Sequence, residues 1–285
     1  MKHYTIIISV AVMIIVLPVA WGQDDMQANE NSMQHAPMAE MRHDAMPVST
    51  MTSARDPHAY ADGYDFGPIP RPRFADEHSF GSLLIDRLEW VHTSNITATA
   101  YDIQAWYGRD FDRVVLKAEG DIDNGAVQEA RTELLWNHAV SAFWDTQFGL
   151  RYDSGEGPER SWLALGVQGL APYWFEITAT AYVGDENRTA LRLDGEYELL
   201  LTQRLKLQPR LEADFYGKDD TERALGSGLS DLIVGLRLRY EFLRELAPYM
   251  GIEWAGKYGG TADYARALGD SSKETRWVAG LRFWF

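Results

Sequence analysis

The chain has 285 residues, 42 acidic side chains against 27 basic ones, a formal net charge of −15, and no cysteine. The absence of cysteine removes disulfide-stapled scaffolds, thiolate catalysis and thiolate metal binding. The acid excess argues against nucleic acid, which needs concentrated basic surface, and is compatible with cations as cargo.

In chain order, Lys2 gives a short positive start and Ile6 to Val19 is an apolar run broken only by Ser9 and Pro18. Ala20-Trp21-Gly22 then sets small residues at the −3 and −1 positions of a signal-peptidase site, so residues 1–22 read as a secretory signal. The run of about 14 residues is short for a membrane-spanning helix, which needs roughly 20. A retained anchor is the alternative. Residues 23–55 are polar, rich in Asn, Gln, Met and Asp, and lack sustained periodicity. Such a composition cannot bury enough apolar surface to offset its ordering entropy, which predicts a disordered tail. Residues 56–80 hold prolines at 57, 68, 70 and 72 with Gly63 and Gly67, which rule out helix or ladder across much of the stretch. They form an extended linker, expected to dock on the body through Tyr60, Tyr64, Phe66 and Phe74.

From residue 81 to 285 the pattern is period-two alternation in segments of about ten residues, separated by Gly, Asp and Asn. In Phe175 to Val183, the residues Phe175, Ile177, Ala179, Ala181 and Val183 share one face, opposite Glu176, Thr178, Thr180 and Tyr182. The same reading gives twelve strands near 82–92, 97–109, 113–123, 126–138, 144–153, 161–169, 173–184, 189–200, 204–216, 228–240, 247–258 and 274–285. No stretch reads convincingly as helix. An even number of antiparallel strands of this length predicts an all-β transmembrane barrel. If the first strand runs outward, the three longest connections, Ser154–Arg160, Lys218–Ser227 and Gly259–Lys273, are all external. Tight turns such as Asp110–Asp112, Leu170–Pro172 and Leu201–Gln203 are then internal. Long outside and short inside is the asymmetry of outer-membrane barrels.

"LAPYW" at 170–174 and "LAPYM" at 246–250 recur, which predicts Tyr173, Trp174 and Tyr249 at one membrane interface. The final "VAGLRFWF" places Trp277, Ala279, Leu281, Phe283 and Phe285 on one face. It is similar to the C-terminal assembly signal of outer-membrane barrels, with Val278 standing where a polar residue is usual. A soluble sandwich also alternates, but here the polar faces are charged along their full length. In a barrel these charges line the lumen: Lys117, Glu119, Asp121, Glu129, Arg131, Glu133, Arg151, Asp153, Arg192, Asp194, Glu196, Glu198, Arg210, Glu212, Arg237, Arg239 and Glu253. Their simplest role is to fill a small barrel with charge pairs; a translocation path or a second metal region is the sharper alternative. Pro209 falls mid-strand on the lipid face, where a bulge or a shifted boundary is expected.

Chemistry concentrates in the tail. Of the seven methionines after residue 22, six lie between Met26 and Met51, and the seventh is Met250. Met26, Met33, His35, Met38, Met41, His43, Met46 and Met51 recur at short intervals in a chain free to wrap an ion. Thioether sulfur is a soft ligand suited to Cu(I), and imidazole takes Cu(I) or Cu(II). His58 and His78 are secondary candidates. The plainer account is a low-complexity exported tail with accidental methionines. Within the barrel only His92 and His138 carry imidazole, and His138 near Ser141 raises an outer-membrane hydrolase. No serine–histidine–amide constellation at strand-face spacing supports it, so no catalytic residue is assigned.

Residues 56–90, "DPHAYADGYDFGPIPRPRFADEHSFGSLLIDRLEW", resemble the opening of the copper resistance protein B family. "YDIQAWYGRDFDRVVLKAEGD" (101–121), "RYDSGEGPERSWLALGVQGLAPYWFE" (151–176), "YELLLTQRLKLQPR" (197–210) and "YMGIEWAGKYGGTADYAR" (249–266) extend the likeness over nearly the whole body. The resemblance implies copper tolerance at the outer membrane of a Gram-negative bacterium, a Met/His-rich N-terminal region that binds copper, and a periplasmic multicopper oxidase as functional neighbour. The tail here lacks long tandem repeats. The combined expectation is a twelve-stranded barrel in outer-membrane lipid with a periplasmic tail that sequesters copper and passes it outward. A passive porin and a hydrolase are the alternatives.

Overall fold

The computed structural model describes residues 78–93 and 97–285. The expected signal at 1–22, the expected tail at 23–55 and residues 56–77 of the expected linker lie outside the described residues. The strands are β1 (Phe80–His92), β2 (Thr97–Gly108), β3 (Asp112–Asp123), β4 (Ala126–Ala139), β5 (Trp144–Gly155), β6 (Arg160–Ala171) and β7 (Phe175–Gly184). They continue as β8 (Thr189–Glu196), β9 (Leu199–Leu200), β10 (Leu205–Tyr216), β11 (Gly228–Tyr240), β12 (Leu246–Lys257) and β13 (Lys273–Trp284). Each pairs antiparallel with its neighbours, β13 returns to β1, and β10 pairs with β11, so the sheet closes. Because β8 and β9 lie on one line against β10, the ring has twelve staves. Closure removes every edge, which is what lets a sheet sit in hydrocarbon.

The gap between β8 and β9 has a specific cause. Tyr197 N–H donates to Pro209 O at 3.1 Å. The reciprocal bond would need a proline N–H, which does not exist, so the ladder opens there. The pairing resumes at Leu199 and Leu200 in unchanged register. Neither a bulge nor a shifted boundary is needed; the strand gives up one bond and continues.

Polarity is inverted relative to a soluble core. Leu150 is 62% exposed on the outer wall, among Leu134, Phe148, Leu163, Leu165 and Trp277, whereas Arg239 is 1% exposed on the inner wall. A soluble sandwich would bury the first set and expose the second, so this is a barrel built for lipid outside and charge inside. No described helix is long and apolar enough to cross a membrane; the chain crosses with strands.

Two rims follow from strand direction. The entry rim, where β1 begins, carries the connections 109–111, 140–143, 172–174, 201–204 and 241–245. The far rim carries the long 217–227 and 258–272 connections, as the loop-length asymmetry anticipates. The second of these contains a helix that the alternation argument misses, α1 (Gly259–Leu268). Gly259 and Gly260 open it and hide it from propensity, since glycine is a poor helix former. It closes on Gly269 at φ 88°, the left-handed position glycine occupies freely. Thr261 Oγ1 accepts the Gly226 N–H at 2.8 Å and lies 2.6 Å from Ser230 Oγ. A Cβ on Gly226 would stand 2.5 Å from Gly260 Cα, so the two far-rim loops meet backbone to backbone.

The recurring LAP motif is not one structural feature. Tyr173 and Trp174 stand exposed in the turn after β6, on the entry rim. Tyr249 lies inside β12 and is 7% exposed, facing the lumen. It fits because Gly280 on β13 has no side chain: a Cβ there would lie 2.7 Å from the Tyr249 hydroxyl. Val278 also faces inward, in register with Val91.

Candidate functional site

Alternation aims every second side chain into the lumen, and one irregularity adds to it. The β1 register shifts against β2 between Ile85 and Arg87, and against β13 between Ile85 and Leu88. The extra residue is a β-bulge, which re-aims side chains locally. Asp86 and Arg87, adjacent in sequence, thereby both face inward. Asp86 accepts from Arg282 Nε at 2.6 Å, and Arg87 donates to Asp102 at 3.1 Å. Asp86, Arg87, Asp102 and Glu89 are lumen charges the sequence reading missed, whereas Glu176 and Asp214 fall on the polar faces that alternation gives. Strict alternation cannot turn two consecutive residues the same way.

At mid-height the charges join across the barrel. Arg192 on β8 contacts four carboxylates: Glu212 at 2.9 Å, Glu119 at 3.1 Å, Asp194 at 3.2 Å and Asp214 at 3.5 Å. Glu119 also accepts from Arg131 at 2.8 Å and lies 3.8 Å from Arg87. Glu212 is held by Arg210 at 2.5 Å and lies 3.6 Å from Arg87. β3, which carries Glu119, and β8, which carries Arg192, are five staves apart in the ring of twelve, so this contact is almost a diameter. Arg131 to Asp214, at 3.9 Å between β4 and β10, spans the same number. The belt therefore crosses the lumen at its own level.

Three further clusters fix the walls. Arg237, 3% exposed, donates to Glu89 at 2.8 Å and to Glu253 at 2.5 Å. Arg239 donates to Gln208 at 3.0 Å and to Glu198, while Gln208 donates to Glu196. On the opposite wall Arg151 grips Asp153 with two bonds of 2.7 and 2.9 Å and sits 4.5 Å over the Tyr182 ring. Tyr182 donates to Glu133 at 2.7 Å. Most of the inward charges read from alternation thus meet, some with a partner two residues along the same strand and others with partners distant in the chain.

Between the belt and the entry rim is a cavity of about 360 Å³. Its wall includes seven carboxylates (Asp86, Asp102, Glu119, Glu133, Glu176, Asp194 and Glu196) against five cations (Lys117, Arg131, Arg192, Arg210 and Arg282). The residual charge is negative, which favours cations in a low-dielectric wall. These are hard oxygen donors. Met250 is 67% exposed on the outer wall, His92 is exposed and His138 is half-buried. Among the described residues no three His, Cys, Asp or Glu side chains are arranged to hold a metal.

Of the tail candidates, Met26, Met33, His35, Met38, Met41, His43, Met46, Met51 and His58 lie outside the described residues. His78 is exposed, its ring 6.3 Å from Phe80. On the entry rim His138 Nδ1 lies 2.8 Å from Asp112 Oδ1, while Ser141 Oγ accepts the Phe143 N–H at 3.4 Å. The two side chains considered as a dyad are each engaged elsewhere.

A closed antiparallel ring, apolar outside and charged within, defines the class: a transmembrane β-barrel of the bacterial outer-membrane type. Within that class the family model described as copper resistance protein B precursor (CopB) matches residues 79–285, and the chain belongs to this copper resistance family. It is 47% identical over 200 residues to the copper resistance protein B homolog of Pseudomonas syringae pv. tomato (strain ATCC BAA-871 / DC3000), covering 70% of this chain and 68% of that one. It is 43% identical over 233 residues to copper resistance protein B of Escherichia coli, covering 76% and 79% respectively. Among solved structures it is similar to a NanC porin at 12% identity and a TM-score of 0.48, covering 70% of this chain and 98% of that one.

Proposed function

We propose that this barrel serves copper resistance by gathering copper ions in its N-terminal tail, on the periplasmic side, and passing them outward. The observation that carries the reading is the segregation of six of the seven methionines after residue 22, with His35 and His43, into residues 26–51 of a chain from a copper resistance family. Met26, Met33, Met38, Met41, Met46 and Met51 supply thioethers for Cu(I), and His35 and His43 supply imidazoles for either oxidation state. His58 and His78 are auxiliary ligands between tail and barrel. A periplasmic multicopper oxidase, which would set the oxidation state of the ion handed over, is the proposed partner.

The barrel supports this division of labour. β1 starts at the rim on whose side the acidic cavity lies, so cations released near that rim meet a negative wall. The belt of crossing ion pairs speaks against a passive porin, whose lumen is water-filled. Replacing the eight tail Met and His residues between 26 and 51 by alanine is expected to lower the copper tolerance of cells that depend on this protein, with barrel abundance unchanged. Unchanged tolerance in that variant would remove the tail from the account.

A further inference from the structure

We propose that Arg192 is the latch of a gated, cation-selective path through the barrel. Three ion pairs span four or five staves at the belt: Arg192 to Glu119, Arg87 to Glu212 and Arg131 to Asp214. Only the first is within hydrogen-bond distance, at 3.1 Å, against 3.6 and 3.9 Å for the others. Among the described residues, the direct hydrogen-bonded connection between opposite walls at the belt is therefore one side chain, buried and anchored on β8.

The surroundings of that side chain suit movement. Arg192 Nε is shared with Asp194, two residues along its own strand at 3.2 Å, so the guanidinium keeps a partner when it leaves Glu119. Glu119 likewise keeps Arg131 at 2.8 Å. Neither end of the contact is orphaned by opening, which lowers the cost that a broken buried pair usually carries.

Selectivity follows from what remains. With the guanidinium withdrawn, Glu119, Glu212 and Asp214 lose a cation they share, and the belt gains negative charge next to the net-acidic cavity. An excess of carboxylates along a path favours cations over anions. The charge on the permeant ion is what the path reads, so potassium reports it as well as a transition metal does, and the proposal stands apart from any role of copper.

The test is conductance of the full chain in planar lipid bilayers across a potassium chloride gradient, for the wild type, Arg192→Ala and Glu119→Gln. Folding of each is checked by the shift in gel mobility between boiled and unboiled samples. The wild type is expected to rest closed. Both variants are expected to show resolved open steps, with a reversal potential displaced toward that of potassium. Glu119→Gln preserves side-chain size and serves alone if Arg192→Ala does not fold. Silent folded variants, a wild type as conductive as the variants, or a reversal potential displaced toward chloride would each overturn the proposal.

Discussion

The tail and the barrel divide the ligand chemistry of this chain almost completely. Residues 26–51 hold six thioethers and two imidazoles, while the lumen is lined by carboxylates and guanidinia, and the barrel's one methionine, Met250, faces outward. Soft ligands select copper by bond character; hard charges act on any cation by field. Under the proposed function, recognition belongs to the soft ligands of residues 26–51 and passage to the charged lumen.

The contrast breaks most visibly if lumen pairing is removed. Arg237→Met leaves Glu89 and Glu253 buried without their cation, and about 3–5 kcal/mol of stability is expected to be lost. Denaturant unfolding in detergent measures it, and the added thioether should create no tight Cu(I) site, since it stands alone. Restoring a ladder bond has a smaller effect of the opposite sign. Pro209→Ala supplies the N–H absent opposite Tyr197, and a gain of about 0.5–1.5 kcal/mol is expected from the same measurement.

A local effect should appear with acid at the far rim. Burial raises the pKa of Asp220, but hydrogen bonding and charge from Arg160, with Arg188, outweigh it and hold the carboxyl below its ordinary value. Its contribution is therefore intact above the unfolded value of about 3.9 and lost as pH falls through the lower folded value. The Arg160 Nε–H signal, bonded to Asp220 at 3.0 Å, should persist in NMR spectra at pH 5 and disappear in stronger acid. In Asp220→Asn that transition should be absent. The smallest change is Met250→Leu, expected within about 0.5 kcal/mol of wild type and without effect on copper binding, because this thioether faces lipid.

Much of the barrel was legible because alternation is local. All twelve staves lie within a few residues of where period two places them, and the charged faces point inward as read. What escaped depends on neighbours. The bulge at Asp86 and Arg87 exists only in relation to β2 and β13, and Tyr249 turns inward into space left by Gly280. The Arg192–Glu119 contact joins residues 73 positions apart across a closed ring, so no strand-by-strand pattern announces it. The helix α1 was hidden by its opening glycines. The tail candidates are the opposite case: composition alone points to them, and they lie outside the described residues.

The central claim is that copper capture belongs to the tail. Equilibrium Cu(I) binding by the purified full chain, compared with the variant carrying alanine at Met26, Met33, His35, Met38, Met41, His43, Met46 and Met51, tests it most directly. Loss of tight binding from a variant that still forms a heat-modifiable barrel is the predicted result. Equal stoichiometry and affinity in the two proteins would contradict it and move the copper site into the barrel.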